Sequence, residues 1–141
     1  LVDEWLDTEA FADRAARFGY DPSELEPLGG AIADMDAALA RDDRDAWSEA
    51  DDRFHSELVR LGQNHRVQAV AGMMVDQVRR ARATTLHLRP LPTKSNEDHR
   101  KVYEAIRAGD PNTARRVHHA HRTHAKEMLL GLLDKLGLRQ V

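Results

Sequence analysis

An all-α fold, an antiparallel bundle of six helices, is what the sequence predicts, on three observations. Strand signals are absent: there is no period-two alternation, few β-branched runs, and no Asn-Gly or Asp-Gly hairpin turn. Apolar residues recur at spacings of three and four through most of the chain. The breaks in that pattern fall on Gly, Pro and capping residues, so the connections are short. A length of 141 residues suits one domain with a sizeable core. With 41% apolar and 32% charged residues, the composition excludes a disordered tail, and no run approaches the roughly 18 apolar residues of a membrane span.

Each element follows from its own signals. The first helix is expected from Val2 to Phe18, stopped by Gly19 as a C′ residue. Asp21-Pro22-Ser23-Glu24 offers an N-cap, a Pro and a capping-box Glu for the second helix, whose apolar face is Leu25, Leu28, Ile32, Met35 and Leu39. Gly29-Gly30 weakens that helix by up to ~1 kcal/mol per Gly and marks a bend or a close contact. The third runs from Arg44 to Leu61, ending near Gly62. Asn64 caps the fourth, with the stripe Val67, Val70, Met74, Val78, Ala81 and Thr85. Arg89-Pro90-Leu91-Pro92 breaks it and forms the one clear loop. Ser95 with Asp98 reads as a capping box opening the fifth helix, to Arg107, and Asp110-Pro111 starts the sixth, which reaches Leu136.

Charge is divided unevenly. Residues 1–55 carry 16 acids and 5 bases, residues 56–141 carry 8 acids and 16 bases. Helix faces of opposite sign that attract when the halves pack account for this. Basic residues are not gathered on one element with aromatics, and with a pI near 6.2 the chain alone is a poor DNA binder. There is no Cys, which rules out disulfides and thiolate zinc sites and fits a reducing, cytoplasmic setting. The acidic N-terminus shows no signal-peptide pattern, and without an initiator Met the chain reads as a fragment of a longer protein.

Polar residues stand where apolar ones belong. The stripe of the third helix is Trp47, position 51, Phe54, Leu58 and Leu61, and position 51 is Asp. At about 100° per residue, Asp51 lies within about 40° of Trp47 and Leu58, in the middle of the buried face. His55 follows one turn later on the same side. Asp and His at i, i+4 project side by side, as two ligands of one ion must. The fifth helix has His99 on its apolar stripe beside Val102, Tyr103 and Ile106. The sixth has His121 among Ala114, Val117, Ala125, Met128 and Leu132. Each has a plain explanation singly: a hydrogen-bonded core His, or a buried Asp paired with a neighbouring Arg. Together, four ionisable groups aimed at one interior suggest a shared metal site. His118 lies one turn before His121 on the same broad face, as a supporting partner. Of the arginines on the fourth helix, Arg82 flanks the stripe at about 60° and Arg79 lies farther round.

The set Asp51-Asp52-Arg53-Phe54-His55, Asp98-His99, Ala105-Ile106-Arg107-Ala108-Gly109-Asp110 with Ala114, and His121 resembles the C-terminal effector-binding domain of GntR-family transcription regulators of the FadR-like subfamily, the FCD domain. The resemblance spans Trp5 to Leu136 and implies an antiparallel bundle of six to seven helices around a metal and effector cavity. It implies a divalent cation on Asp51, His55, His99 and His121, the residues the helical wheel selects independently. Two features depart from the pattern: Gln63 stands where many members have Gly, and His118, His119 and His124 are extra imidazoles. The whole chain, 1–141, would then be the effector domain, with the N-terminal winged helix-turn-helix absent from it and DNA reached only through that missing domain.

The expected function is a sensor, not an enzyme. Zn²⁺ is the first choice of metal for a His-rich site, with Ni²⁺, Mn²⁺ or Fe²⁺ as alternatives. Four protein ligands leave a six-coordinate ion two open positions for a small carboxylate effector, with Arg82, Arg79 and His118 as its further contacts. Ligation would join the third, fifth and sixth helices and bias a homodimer between two arrangements. Two other readings stay open: a helical metalloenzyme acting on small organic acids, with His118 or Glu97 as its acid or base, and a bundle with structural histidines and no metal.

Overall fold

The computed structural model describes residues 8–137, which form six α-helices and one short 3₁₀ turn. These are α1 (Thr8–Phe18), α2 (Glu26–Ala40), α3 (Arg44–Leu61), α4 (His65–Thr85), the 3₁₀ turn Leu86–Leu88, α5 (Thr93–Arg107) and α6 (Pro111–Lys135). The expected start of the first helix at Val2 lies outside the described residues. The expected caps at Asn64 and Asp110 are present, their side chains accepting bonds from the backbone N–H of Val67 and Thr113, and Asp43 caps α3 in the same way by accepting from the Ala46 N–H.

Two helix starts differ from expectation. The Asp21–Glu24 capping box closes a turn instead of opening a helix: the Asp21 N–H donates to the Glu24 carboxylate at 2.8 Å, and α2 begins only at Glu26. Asp21 and Glu24 therefore bond each other one turn too early, and Leu25 makes no side-chain cap. α5 starts at Thr93, ahead of the Ser95–Asp98 box, with no side-chain cap at Pro92. Asp98 is not a cap at all but a buried residue in the first turns of α5.

The core is built by α1, α2, α3, α5 and α6, with α2 against α3, α1 against α6 and α5 against α6 as the principal packings. Consecutive helices that pack across loops of three residues must run antiparallel, as α2–α3 and α5–α6 do. Leu25, Leu28, Met35, Phe54, Leu58, Leu61, Val102 and Ile106 are buried there, and Leu39 is only partly so. A polar chain crosses this core: Trp47 Nε1 donates to Asn96 Oδ1 at 2.7 Å, and Asn96 Nδ2 donates to Asp36 Oδ1 at 2.8 Å, tying α3, α5 and α2 together. Every buried group in that chain has its partner, so it adds register without leaving an orphan.

α4 departs most from expectation. Of its expected buried stripe, Val67 and Met74 are half-buried, Val70 and Ala81 are exposed, Thr85 at its end is buried, and the Val78 side chain lies outside those described. The helix packs on the others sparsely, chiefly through α3 and α6. Gly29 marks a close approach, not a bend: a Cβ there would meet the Tyr103 ring at 3.2 Å, whereas nothing lies within 4 Å of one on Gly30. Gln63 takes the left-handed conformation, φ 53°, that Gly would adopt more cheaply. Its amide donates to the Tyr20 hydroxyl at 2.7 Å, which in turn donates to the Leu61 carbonyl at 2.7 Å.

Candidate metal centre and effector cavity

Asp51 and His55 share one face of α3 because four residues make just over one turn. His99 comes from α5 and His121 from α6. The three imidazoles each offer a ring nitrogen, and those nitrogens lie within 4.8 Å of one another. Asp51 Oδ1 is 3.4 Å from His55 Nε2 and 3.4 Å from His99 Nε2. Asp51 and His99 are fully buried, His121 nearly so, and His55 stands at the cavity's edge. The Phe54 ring lies against His99, with centroids 4.3 Å apart, and fixes its plane from the core side.

Burial opposes ionisation of Asp51, yet the Arg82 guanidinium and the His55 and His99 rings hold its carboxyl well below the usual carboxylate range. Burial pushes His99 well down and His121 down to about 4, with the neighbouring imidazoles adding to the effect. The rings are therefore neutral at pH 7, the state a metal ligand requires. His99 carries a further sign: both its ring nitrogens are buried and neither makes a hydrogen bond. A neutral imidazole has one donor and one acceptor, and leaving both unmet costs roughly 1–3 kcal/mol each. A cation beside Nε2 removes part of that cost. Three nitrogens and one carboxylate oxygen suit a borderline ion such as Zn²⁺, which bonds nitrogen at about 2.0–2.1 Å. Three ring nitrogens and a carboxylate oxygen brought this close are a donor set that fits such an ion.

Asp98 was not anticipated here. Its Oδ2 is 3.5 Å from His121 Nδ1, and Lys94 pairs with its other oxygen. A carboxylate at Nδ1 orients the ring and leaves Nε2 for the cluster. The signal in the sequence was its place on α5 beside His99, masked by a more familiar capping pattern.

A cavity of about 400 Å³ opens beside the cluster, lined by Asp51, His55, His121, Trp47, Arg82 and Arg89 and closed by the Leu86–Pro92 loop and the last turns of α6. Arg82 reaches it as expected, but its guanidinium is already engaged. It pairs closely with Asp51 Oδ2, and Nη1 bonds Asp52 Oδ1 at 3.2 Å. The plain reading of Asp51, a buried Asp paired with an Arg, describes one carboxylate oxygen, while the other faces the histidines. Arg79 does not line the cavity. It is 57% exposed and bonds Asp52 Oδ2 at 3.0 Å on the outer side. His118 is buried behind the cluster, its ring centroid 5.9 Å from that of His55, and is not among the residues lining the cavity. Glu97 is exposed in the outer groove between α5 and α6, away from the cluster.

Comparison with family models matches residues 6–124 to the FCD domain. The chain belongs to the FCD domain family. The match covers every one of Asp51, His55, His99 and His121. FCD domains are ligand-sensing regulatory domains, and the all-helical bundle found here agrees with that architecture. Comparison with curated proteins finds no match. Among the described residues no helix is long and apolar enough to cross a membrane.

Proposed function

We propose that this FCD domain is the effector-sensing part of a GntR/FadR-type transcription regulator, acting in the cytoplasm as a homodimer and reaching DNA through a winged helix-turn-helix outside this chain. In this reading Asp51, His55, His99 and His121 hold one divalent ion, Zn²⁺ in the first instance, and a small carboxylate binds in the adjoining cavity. The observation that carries it is the convergence of three imidazoles from three helices beside the Asp51 carboxylate, with both His99 nitrogens buried and without hydrogen bonds.

When bound, the ion supplies a positive centre with open coordination positions for an acid. The protein supplies the rest. Asp51 sets the site's charge, Arg82 keeps that carboxylate ionised, Phe54 and Asp98 hold the His99 and His121 rings, and the Leu86–Pro92 loop limits access of water. Because its donors come from α3, α5 and α6, an occupied site fixes the relative placement of those helices. That is the route by which occupancy biases a two-state dimer.

The test is direct. Protein purified without a His tag should carry about one equivalent of metal by elemental analysis, and a chelator should lower its melting temperature by several degrees. His99→Ala and His121→Ala should each abolish stoichiometric metal. Wild-type protein without metal and with unchanged melting in chelator would defeat this reading.

A further inference from the structure

α4 meets the bundle at few points, and two of its arginines make the polar ones. Among the described side chains it buries only Thr85, at its far end. Among the described residues, its side-chain bonds to other helices all start at Arg79 or Arg82 and all end on Asp51 or Asp52 of α3. Arg79 Nε donates to Asp52 Oδ2 at 3.0 Å, and Arg82 Nη1 donates to Asp52 Oδ1 at 3.2 Å. Arg82 Nη2 donates to Asp51 Oδ2. An exposed pair such as Arg79–Asp52 holds little, so the attachment lies with Arg82, whose partner Asp51 is withdrawn from water.

The carboxylate that holds Arg82 also faces the histidine cluster. Asp51 Oδ1 lies 3.4 Å from both His55 Nε2 and His99 Nε2, while Oδ2 belongs to Arg82. One negative charge therefore stands between two places for a cation, a permanent one on α4 and another among the imidazoles. In the metal-free protein Arg82 draws on that charge alone. A divalent ion among the donors takes much of it, and two cations sharing one buried carboxylate repel across a weakly screening space. Asp52, one residue along α3, already bonds both Arg82 and Arg79. It gives Arg82 an outer partner to shift toward without being left unpaired. Thr85 and Leu86 are buried and anchor the helix's far end, so the loosening falls on the turns before them.

We infer that α4 responds to occupancy of the histidine cluster: an ion held there weakens the grip of Asp51 on Arg82 and so frees the turns of α4 around Arg79 and Arg82 from α3. Arg82 is thereby a built-in competitor for the ion. The coupling is reciprocal, since whatever factor the ion takes from the hold on Arg82, Arg82 takes from the ion's affinity. This rests on the reading of Asp51, His55, His99 and His121 as a metal site and adds an element that answers to it without supplying a ligand.

Hydrogen exchange of the wild-type chain, metal-free and with one equivalent of zinc, tests the response. Amides of residues 76–83 should exchange about fivefold or more faster with zinc, while those near the donors on α3, α5 and α6 slow down. Zinc titration against a competing chelator at pH 8 tests the reciprocal effect. Arg82→Gln should bind zinc about tenfold more tightly than wild type, and its residues 76–83 should no longer respond to zinc. Arg80→Gln removes an equal charge from the exposed side of α4 and should bind zinc within about threefold of wild type. Unchanged or slower exchange at residues 76–83 of zinc-loaded wild type would overturn the inference, and this measurement decides alone if Arg82→Gln does not fold. Unchanged or weaker zinc binding by folded Arg82→Gln would overturn it too, making Arg82 a support of the site. Either result, with zinc bound stoichiometrically, leaves the metal reading standing, whereas a wild-type chain that takes up no zinc would overturn both.

Discussion

At the level of single residues, Asp51 decides most. One carboxylate serves two partners, Arg82 on Oδ2 and the imidazoles on Oδ1. Removing Arg82 leaves a fully buried charge unanswered, so Arg82→Ala should destabilise the metal-free protein by about 3–5 kcal/mol in urea unfolding. Arg79→Ala removes a largely exposed pair with Asp52 and should cost under about 1 kcal/mol. Equal effects of the two would show that Asp51 does not depend on Arg82. The histidines set the acid response. His99 and His121 have native pKa values below the ordinary 6.5, so between pH 6.5 and about 4 the unfolded chain binds protons that the native state refuses. Stability is therefore full above that window and falls as pH drops through it. Asp51, held below 3.8, acts in the same direction but loses its contribution only at lower pH still. In chelator, the stability from urea unfolding should be flat from pH 8 to 7 and decline steadily below 6.5, on the order of 2–3 kcal/mol by pH 4.5 from His121 alone, with His99 adding in the same direction. His121→Gln should flatten part of that decline.

At the level of helices, local signals located the elements well and their first turns less well. Asn64 and Asp110 cap as expected because each acts within three residues of its own position. Asp98 does not, because its carboxylate goes to Lys94 one turn earlier and to His121 on α6, and nothing nearby in the chain reports the second partner. Gly29 and Gly30 show the same limit within one helix. In both, Ala gains helix propensity, and Gly30→Ala should raise stability by about 0.5–1 kcal/mol. Gly29→Ala should show no such gain, since its methyl meets Tyr103 at 3.2 Å. Thermal melts of the two variants, compared with each other, isolate the α2–α5 contact. Gln63 joins them as a case in which a backbone position that favours Gly is filled by a residue whose side chain bonds Tyr20.

At the level of the whole molecule, the uneven charge resolves into contacts between the two halves of the chain. Asp36 with Arg100, Asp51 and Asp52 with Arg82, and Asp52 with Arg79 all join the acidic first part to the basic second. Cohesion is not evenly spread, though. α2, α3 and α5 bury their apolar faces, while among the described side chains α4 buries only Thr85. Native-state hydrogen exchange should find the amides of α4 the least protected among the helices and those of α2 and α3 the most. Protection of α4 equal to that of α3 in the isolated monomer would contradict this. Gain of protection on loading with metal should be greatest at α3, α5 and α6, which supply the donors.

Sequence by itself determined the helices, their number among the described residues, and the polar positions on their apolar faces. It did so because a helix repeats every 3.6 residues, so Trp47, Asp51, Phe54 and Leu58 are bound to one face whatever they pack against. It also determined that Asp51, His55, His99 and His121 point inward, since each interrupts such a face. Only tertiary structure decided what those residues meet. The same periodicity marked α4 as buried, Arg82 as open to a ligand and Asp98 as a cap. Packing instead left α4 on the outside, placed two carboxylates on Arg82, turned Asp98 to His121 and brought Arg89 to the cavity wall. Periodicity is a property of neighbours along the chain. Which charge is answered, and which is left for a ligand, depends on groups tens of residues apart that meet only when the helices close.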